Sequence, residues 1–347
     1  MTLRDVAQAA NLSVGAVSRF LNRSLVLPPE TAARIEAAVS GLGYQPNPHA
    51  RRLSRGKADM IGLIVPDIAN PFFALLADVA ERAAAEAGVD LVLCATRNQP
   101  ERELREVARL GRMADGILFV TNHADDGTLA AAIAASGPAV LLDEDIQGVV
   151  APKVFADNRE GGVLAARCLL AAGHRRLAFL GGPRGLLSTE ERHAGFRDTV
   201  REAGPGAEIV FASFGEYLAS EGRIAADRML GVPCPATAAF ASSDETALGV
   251  LEAARGRGLS VPRDLSLVAF DDVAPLALMW PPVTAVRQPV ASMARRGVQL
   301  LLGCVRGGAL PPEPLRLTVT LVERASITAP PLITVRPHRA ATATGEA

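Results

Sequence analysis

The sequence is poor in the residues that build metal centres and disulfide frameworks. Its four cysteines, Cys94, Cys168, Cys234 and Cys304, lie far apart, and none forms a CxxC pair or has a histidine at metal-ligand spacing. We therefore expect no metal site and interpret the four thiols as small buried hydrophobic groups of a protein in a reducing compartment. The five histidines are equally scattered, and no HExxH motif occurs.

Signatures of catalysis, secretion and membrane insertion are missing as well. The chain has no nucleophile elbow, and its glycine-rich segment 181–185 lacks the Lys-Ser/Thr pair of a phosphate-binding loop. We interpret that segment as a turn after a strand. The N-terminus has no uninterrupted apolar segment typical of a secretory signal, and no apolar run is long enough to span a membrane. These absences predict a cytoplasmic protein without catalytic residues, cofactor or membrane partner.

The charge of the chain is unevenly distributed. The 347 residues suggest two or three domains, and 49% hydrophobic with 21% charged residues is typical of a soluble globular protein. Residues 1–57 contain eight Arg and Lys against three Asp and Glu, a net charge of +5, so the overall charge of −1 leaves −6 for the remainder. A basic end on an acidic body favours phosphate binding at that end. An ordinary solvated surface is the alternative.

The chain starts with a pattern of two short helices joined by a tight turn. In the segment TLRDVAQAANLSVGAVSRFLN (residues 2–22), apolar residues recur at helical spacing in both halves. Thr2 and Ser13 are suited to cap the two helices, and Asn11 is suited to the turn. Such a helix-turn-helix places its second helix in the DNA major groove. A purely structural hairpin is the alternative.

A third predicted helix, at about residues 29–42, is followed by the basic segment QPNPHARRLSRGK (residues 45–57). Two prolines and Gly56 leave about seven residues for a helix, which is marginal in water by itself. We expect it to fold only when DNA or a partner copy holds it. The single apolar residue Leu53, among arginines, suggests a wedge for the minor groove, and a flexible charged linker is the alternative.

From residue 60 onward, short apolar runs alternate with helix-length segments. This alternation predicts parallel sheets with helices on both faces, in which ligands bind at the carboxyl ends of the strands. The predicted strands are 60–65, 89–94, 116–120, 139–142, 176–181, 237–241 and 265–270, and the predicted helices are 71–87, 100–113, 158–172, 188–203, 219–230 and 244–258. The polar residues at the strand ends are Asp67, Asn98, Thr121, Asp143, Ser243 and Asp271.

The order of three motifs, the segment 2–22, then GYQPNPHARRLSRG and then IGLIVPDIANPFF, resembles the LacI/GalR family of bacterial transcription regulators up to about residue 328. The resemblance implies an N-terminal all-α helix-turn-helix head with a hinge helix. It also implies an α/β body of two doubly wound parallel-sheet subdomains, of the periplasmic-binding-protein-like type I.

The implied domain boundaries follow from the same resemblance. They are a helix-turn-helix DNA-binding domain at 1–46, a hinge helix or linker at 47–58, and an effector-binding and dimerisation domain at 59–335. Within that last domain, an N-subdomain takes about 59–157 and 287–317, and a C-subdomain takes about 158–286 and 318–335. Residues 336–347 are predicted to be a disordered tail.

The resemblance also implies the residues that contact DNA. They are Thr2, Val14, Gly15, Ala16, Ser18, Arg19, Asn22 and Tyr44 in the head, and Asn47, His49, Ala50 and Leu53 in the hinge. Two departures from the family matter. Val14, Gly15 and Ala16 offer no polar side chain to a base, so polar readout is expected to depend on Ser18, Arg19 and phosphate contacts. Pro48 stiffens the entry to the hinge.

For the cleft, the resemblance implies the effector-binding residues Phe72, Phe73, Asp143, Ser188, Arg192, Tyr217, Ser243, Asp271 and Gln288. Their chemistry suits a small polar, sugar-like ligand. Each has a structural alternative: Asp271 or Asp244 as the cap of the following helix, and the two phenylalanines as core. Glu190 stands where sugar-binding relatives often have arginine. The alignment of residues 184–193 with the family leaves two positions open, one residue apart. The single tryptophan, Trp280, is expected to be packed.

These expectations combine into a cytoplasmic homodimeric repressor that binds a near-palindromic double-stranded operator and responds to a small-molecule effector. The C-terminal tail has no apolar heptads, so it supplies no coiled coil for a tetramer. The competing interpretation is a solute-binding or enzymatic α/β protein with an incidental helical head. The sequence does not decide whether the effector releases or strengthens DNA binding.

Overall fold

The computed structural model describes residues 2–21, 25–44, 60–273, 276–309, 311 and 313–330. The chain forms two compact units that divide between residues 59 and 60. Several residues with expected roles in DNA contact lie outside the described residues, namely Asn22, Asn47, His49, Ala50 and Leu53, as do the expected hinge at 47–58 and the tail at 336–347.

The described residues of the N-terminal unit, 2–21 and 25–44, form three helices, α1 (Leu3–Ala9), α2 (Val14–Leu21) and α3 (Pro29–Leu42). Thr2 caps α1 reciprocally with Asp5. The Asp5 amide donates to the Thr2 hydroxyl over 3.4 Å, and the Thr2 amide donates to the Asp5 carboxylate over 2.7 Å. The Ser13 hydroxyl accepts from the Ala16 amide at the start of α2. Both predicted caps are therefore confirmed.

A small apolar core holds these three helices together. Val6 of α1, Val17 of α2 and Ile35 of α3 are completely buried in it. The turn between α1 and α2 uses a left-handed backbone at Asn11, with φ of 54°, which asparagine adopts more readily than most residues. From α3, the Arg34 guanidinium donates to the carbonyl oxygens at the end of α1, where a cation is favourable.

The C-terminal unit contains two six-stranded sheets. The first comprises β1 (Met60–Val65), β2 (Asp90–Ala95), β3 (Ile117–Phe119), β4 (Ala139–Leu142), β5 (Lys153–Ala156) and β11 (Leu315–Leu317), and all its pairs are parallel in the order β11-β5-β4-β3-β1-β2. The second comprises β6 (Arg176–Gly181), β7 (Glu208–Phe214), β8 (Ala238–Ala241), β9 (Ser266–Asp271), β10 (Thr284–Arg287) and β12 (Thr320–Val322), in the order β12-β10-β9-β8-β6-β7. Among the described strands, only β12 runs antiparallel to its neighbour.

Eight helices accompany these described strands. They are α4 (Pro71–Glu86), α5 (Pro100–Met113), α6 (Thr128–Ser136), α7 (Asn158–Ala171), α8 (Leu187–Glu202), α9 (Ala219–Leu230), α10 (Asp244–Gly256) and α11 (Val290–Val305). Every predicted strand and helix of this unit is present, within one or two residues. The sequence analysis missed β5, β7, β10, β11, β12, α6 and α11. The strand β7 is a half-buried edge strand, and α6 is so rich in alanine that it has no distinct polar face.

The chain passes between the two sheets at three places in the described residues. It leaves the first sheet after β5, returns after β10 when α11 packs on β3, β4 and β5, and crosses again between β11 and β12. Each sheet therefore contains strands from distant parts of the sequence, and the carboxyl ends of its central strands carry the polar residues described below.

Glycines bring α7 and α8 unusually close. A Cβ atom at Gly162 would lie 2.2 Å from the carbonyl oxygen of Arg192, and one at Gly195 would lie 2.0 Å from that of Arg159. Neither approach is possible for a residue with a side chain unless the helices separate. Because Arg192 lies in this contact, the small residues also fix where its side chain enters the space between the sheets.

We expect Gly195→Ala to destabilise the protein by about 1–3 kcal/mol, because the added methyl group would force α7 and α8 apart. Gly303→Ala in α11 is the matched control, since no atom lies within 4 Å of its added Cβ. That control should be neutral or stabilise by about 0.5–1 kcal/mol, as alanine favours a helix. Urea unfolding of both variants measures the difference, and equal midpoints would contradict the close-packing argument.

Candidate functional site

A small cleft lies between the two sheets, at the carboxyl ends of their strands. Its lining comprises Asn70, Phe72, Phe73, Asn122, Asp143, Ser188, Arg192, Tyr217, Ser243, Asp271 and Gln288. The structure therefore brings all nine residues expected to contact an effector to one cavity. Sequence analysis missed Asn70 and Asn122. Asn70 caps α4, its side chain accepting from the Phe72 amide over 2.9 Å, and a capping signal alone does not indicate a cleft position.

Arg192 is buried at the centre of the cleft wall. Its Nε donates to Asn158 Oδ1 over 2.9 Å, and its Nη1 donates to the Ser242 carbonyl over 2.6 Å. The same Nη1 lies 3.8 Å from Asp271 Oδ1, and the guanidinium stacks on Phe270 at 3.7 Å from the ring centre. Arg192 is thus a fixed part of the wall, with its charge already balanced by protein groups.

Asp271 is the last residue of β9; its backbone is left-handed, with φ of 93°, and the residue lines the cleft. Its oxygens accept from Gln288 Nε2 over 2.7 Å and from the Asp244 amide over 3.4 Å. Asp244 in turn accepts from the backbone amides of the 272–273 loop. Ser243, and not Asp244, caps α10, so the capping alternative is wrong for Asp244.

Asp143 supplies an unsatisfied acceptor. It follows β4 with a left-handed φ of 67°, and its buried Oδ1 has no hydrogen-bond partner among the described residues. Burial raises the pKa of Asp143 to about 6; Arg192 opposes this shift and Asp271 adds to it. Oε1 of Gln288 is buried and unpaired in the same lining. Two unpaired buried acceptors are costly, so the cavity favours an occupant that donates hydrogen bonds.

The neighbouring residue Glu144 links the two sides of the cleft. The backbone amide of Ser188, in the first turn of α8, donates to its carboxyl group over 3.2 Å, and the Ser188 hydroxyl also contacts it. The Tyr217 hydroxyl lies within hydrogen-bond distance of Ser188 and Thr189. Burial, together with the nearby Asp143, raises the pKa of Glu144 to about 8. Sequence analysis missed Glu144; its place in the run Asp143-Glu144-Asp145 after a strand was the available signal.

A second bond crosses at the edge of the cleft. The Arg316 guanidinium donates to both carboxylate oxygens of Glu191, over 2.7 and 2.8 Å, and so joins β11 to α8. Because the pair is partly exposed, we expect it to stabilise the closed arrangement only slightly.

Glu190, which stands where sugar-binding relatives often have arginine, has a local structural role. Its carboxylate accepts from the Gly185 amide over 3.2 Å, and so braces the glycine-rich turn after β6. Gly182 in that turn makes room for Tyr217, whose ring would lie 2.1 Å from a Cβ atom there. The segment 184–193 keeps its expected register, since Ser188 and Arg192 both line the cavity.

The cavity is small. It has a volume of about 20 Å³, room for one water-sized group, and it adjoins a mouth of about 100 Å³ that includes Asp67, Asn98 and Glu245. A larger groove, of about 740 Å³, lies elsewhere beside Trp280. We regard the cleft as the site because buried polar groups converge there, whereas mainly apolar side chains line the groove. Trp280 is 96% exposed, so the expectation that it is packed is wrong.

The cysteines and possible metal ligands do not converge. Cys94 is buried, but Cys234 is exposed and the other two are intermediate, so burial of all four thiols is not found. Within the part of the chain that the structure describes, no three His, Cys, Asp or Glu residues are grouped so as to hold a metal. The same part contains no helix that is both long and apolar enough to cross a bilayer.

In the N-terminal unit, the expected base-contacting residues lie on the outer side of α2. Val17 faces the core, whereas Val14, Gly15 and Arg19 are exposed. Ala16 and Ser18 are half-buried beside them. Thr2 is exposed at the cap of α1, and Tyr44 packs against the edge of the three-helix core.

Comparisons with known proteins match both units. Residues 2–47 match the family of bacterial regulatory proteins called lacI, and residues 166–327 match a periplasmic binding protein-like domain. The ribose operon repressor of Bacillus subtilis is 33% identical over 331 residues, which cover 93% of this chain and 97% of that protein. The chain belongs to the LacI family. It is accordingly a DNA-binding transcription regulator and not an enzyme.

Solved structures of LacI-family proteins resemble the whole chain. The lac repressor dimer bound to operator and the anti-inducer ONPF matches with a TM-score of 0.82 and 27% identity, covering 95% of this chain and 99% of that one. The complex of the regulator CelR with cellobiose matches with a TM-score of 0.69 and 31% identity, covering 94% and 99%. The predicted fold, a helical head with two parallel-sheet subdomains, is therefore confirmed.

The raised pKa of Glu144 predicts how stability depends on pH in this LacI-family protein. A carboxyl whose pKa is higher when folded contributes fully below its unfolded value of 4.5, and that contribution is lost as pH rises towards about 8. We expect Glu144→Gln to lose less stability than the wild type between pH 5 and pH 8, by more than about 1 kcal/mol. Denaturant unfolding across this range measures it; parallel curves would show that Glu144 ionises normally.

Proposed function

We propose that this protein is a repressor whose affinity for a near-palindromic operator is controlled by a small polar effector in the cleft. The observation that carries the proposal is the combination, in one chain, of a capped helix-turn-helix with an uncovered outer face on α2 and a two-sheet cleft with unpaired buried acceptors. The alternative, a solute-binding or enzymatic protein with an incidental head, is not favoured by family membership.

The domain boundaries that support this function are proposed as the sequence predicted them. The DNA-binding domain takes 1–46, the hinge 47–58, and the effector-binding domain 59–335 with its two subdomains. The division near 157, 287 and 318 agrees with the places where the chain passes between the sheets. Because the regulator acts on DNA in a bacterium, we assign it to the cytoplasm.

For DNA, the proposed contacts lie on α2 and in the hinge. Val14 and Ala16 offer methyl groups to thymine, whereas Ser18 and Arg19 offer hydrogen-bond donors to bases or phosphates. The Thr2 hydroxyl accepts a hydrogen bond from the Asp5 amide, and its own hydrogen is the group proposed to donate to a phosphate. Other proposed contacts are Gly15, Asn22, Tyr44, Asn47, His49, Ala50 and Leu53. Two copies would read two half-sites, and the dimeric lac repressor on its operator supports a homodimer.

For the effector, a sugar-like ligand is supported by the cellobiose bound to CelR and by the aromatic and acceptor groups of this cleft. Two contacts connect the two sides of the cleft: Glu144 with Ser188, and Glu191 with Arg316, of which the second, partly exposed pair contributes only slightly. A ligand that binds both sides stabilises the closed arrangement over an open one. Coupling of this kind is typically about 1–3 kcal/mol, enough to change operator affinity 5- to 150-fold.

Leu53→Ala should weaken operator binding by tenfold or more and leave effector affinity unchanged, because it removes the proposed minor-groove wedge and not a cleft group. Fluorescence anisotropy with a labelled operator, selected from a randomised pool, measures the first quantity, and calorimetry with the identified effector measures the second. Leu278→Ala, an exposed leucine outside the head, is the matched control. Unchanged operator affinity in Leu53→Ala would exclude the wedge.

Operator affinity should fall steeply with salt, since phosphate contacts release counterions. Arg19→Gln should reduce both the affinity and the slope of its logarithm against the logarithm of salt concentration, the slope by about one for each lost phosphate contact. Anisotropy at four salt concentrations tests this. An affinity that does not depend on salt would instead indicate that the head makes no ionic contacts with the DNA phosphates.

A further inference from the structure

Arg34 connects the third helix of the head to the turn between the first two. Its Nε donates to the carbonyl oxygen of Ala10 over 3.2 Å, and its Nη2 donates to the same oxygen over 2.5 Å. The Nη2 also donates to the carbonyl oxygen of Asn11 over 3.2 Å. Ala10 is the residue at which α1 ends, and Asn11 has the left-handed backbone of the turn. A side chain that is distant in the sequence therefore holds the turn of the helix-turn-helix.

The two carbonyl groups have no backbone donor of their own. A helix leaves its last carbonyl oxygens without an internal partner. In the part of the head that the structure describes, no backbone amide donates to the oxygen of Ala10 or of Asn11. The last turn of α1 also has no basic residue, although a cation would stabilise the negative end of the helix. Arg34 supplies both the donors and the cation from α3.

The turn sets the angle between α1 and α2, and DNA contacts are proposed on both helices. Thr2, the proposed phosphate contact, caps the start of α1, and the proposed base contacts begin with Val14 at the start of α2. At about 1.5 Å per residue, the eight residues of α2 extend over about 12 Å. A rotation of about 10° at the turn therefore moves the far end of α2 by about 2 Å, which is enough to break a hydrogen bond to a base.

We propose that Arg34 is a positioning residue for operator recognition, which fixes the angle at which α2 meets the bases and does not itself contact DNA. The buried side chains Val6, Val17 and Ile35 hold the three helices together, but apolar contacts are not directional. The planar guanidinium, which donates from two nitrogens to two carbonyl oxygens, is directional and fixes the turn relative to α3. This inference deepens the proposed function and rests on the contacts proposed for α2.

A direct phosphate contact is the competing role for an exposed arginine in the head. The two roles differ in what their loss does to binding. A lost phosphate contact weakens binding to every sequence and lowers the slope of log affinity against log salt concentration by about one. A misplaced α2 weakens binding to the operator and leaves the phosphate contacts, which are independent of sequence, in place. Affinity for two duplexes at several salt concentrations therefore separates them.

The test uses the full-length protein, an operator selected by the wild type from a randomised pool, and a duplex of the same composition in scrambled order. Arg34→Met keeps an unbranched side chain of similar length and removes the donors. By fluorescence anisotropy it should bind the operator about ten- to a hundredfold more weakly than the wild type. Its affinity for the scrambled duplex should stay within about twofold, and its salt slope should change by much less than one. Arg19→Gln is the contrasting variant, since its slope is expected to fall.

Arg34→Lys separates the geometry of the side chain from its charge. Lysine keeps the charge and binds phosphate as a point charge, but its single nitrogen does not reproduce the planar fork of the guanidinium. We therefore expect Arg34→Lys to recover only part of the preference for the operator over the scrambled duplex. Full recovery would show that the charge suffices and would contradict the positioning role.

Three results for Arg34→Met would overturn the proposal: an unchanged operator affinity, an equal loss on both duplexes, or a salt slope reduced by about one. An equal loss would mean that Arg34 holds the head together or binds phosphate, and does not orient α2. The wild type distinguishes this failure from that of the proposed function. If the wild type prefers no sequence of the pool, operator recognition itself is contradicted; if wild type and Arg34→Met are equally selective, only the role of Arg34 is.

Discussion

The cleft is organised around one buried cation. The Arg192 guanidinium is held by Asn158 from α7, by the Ser242 carbonyl after β8, and by the face of Phe270 on β9. A buried charge is tolerated only when it is paired and hydrogen-bonded, and removal of a partner leaves an uncompensated ion. The side chains and backbone groups that hold Arg192 must therefore keep their positions. Burial raises the pKa of Asp143 and of Glu144 beside it, and the Arg192 guanidinium opposes that shift.

The helix pair that carries Arg192 shows how packing serves this site. Gly162 and Gly195 allow α7 and α8 to approach until backbone meets backbone, and this brings Asn158 within reach of the guanidinium. Glycine costs a helix about 1 kcal/mol relative to alanine. The close contact offsets that cost because it allows the buried hydrogen bond from Arg192 to Asn158, which a wider spacing of the two helices would break.

Much of the fold followed from periodicity, because buried parallel strands are continuous apolar runs that a sequence displays directly. The runs at β1, β6 and β9 are of this kind, and each was predicted. Short strands such as β11 and the half-buried edge strand β7 lack that signature, since few of their residues are fully buried. Their pairing depends on neighbours that are distant in the sequence.

The strand-end argument alone indicated Asp143, Ser243 and Asp271, and the family resemblance added the other six of the nine expected residues that line the cavity. What the sequence could not show was which of their atoms are already used. Two of the five N–H groups of Arg192 donate to Asn158 and to the Ser242 carbonyl, and Gln288 has an unpaired acceptor. Glu144 was missed because its partner Ser188 is far away in the chain and meets it only across the cleft.

The exposed position of Trp280 has a practical consequence. The chain has a single tryptophan, and its indole is almost entirely in water, outside the lining of the cleft. Intrinsic emission excited at the red edge of protein absorption therefore reports on one spot of the surface. A blue shift on concentrating the protein would reveal that this spot becomes covered, without any label and without interference from ligand in the cleft.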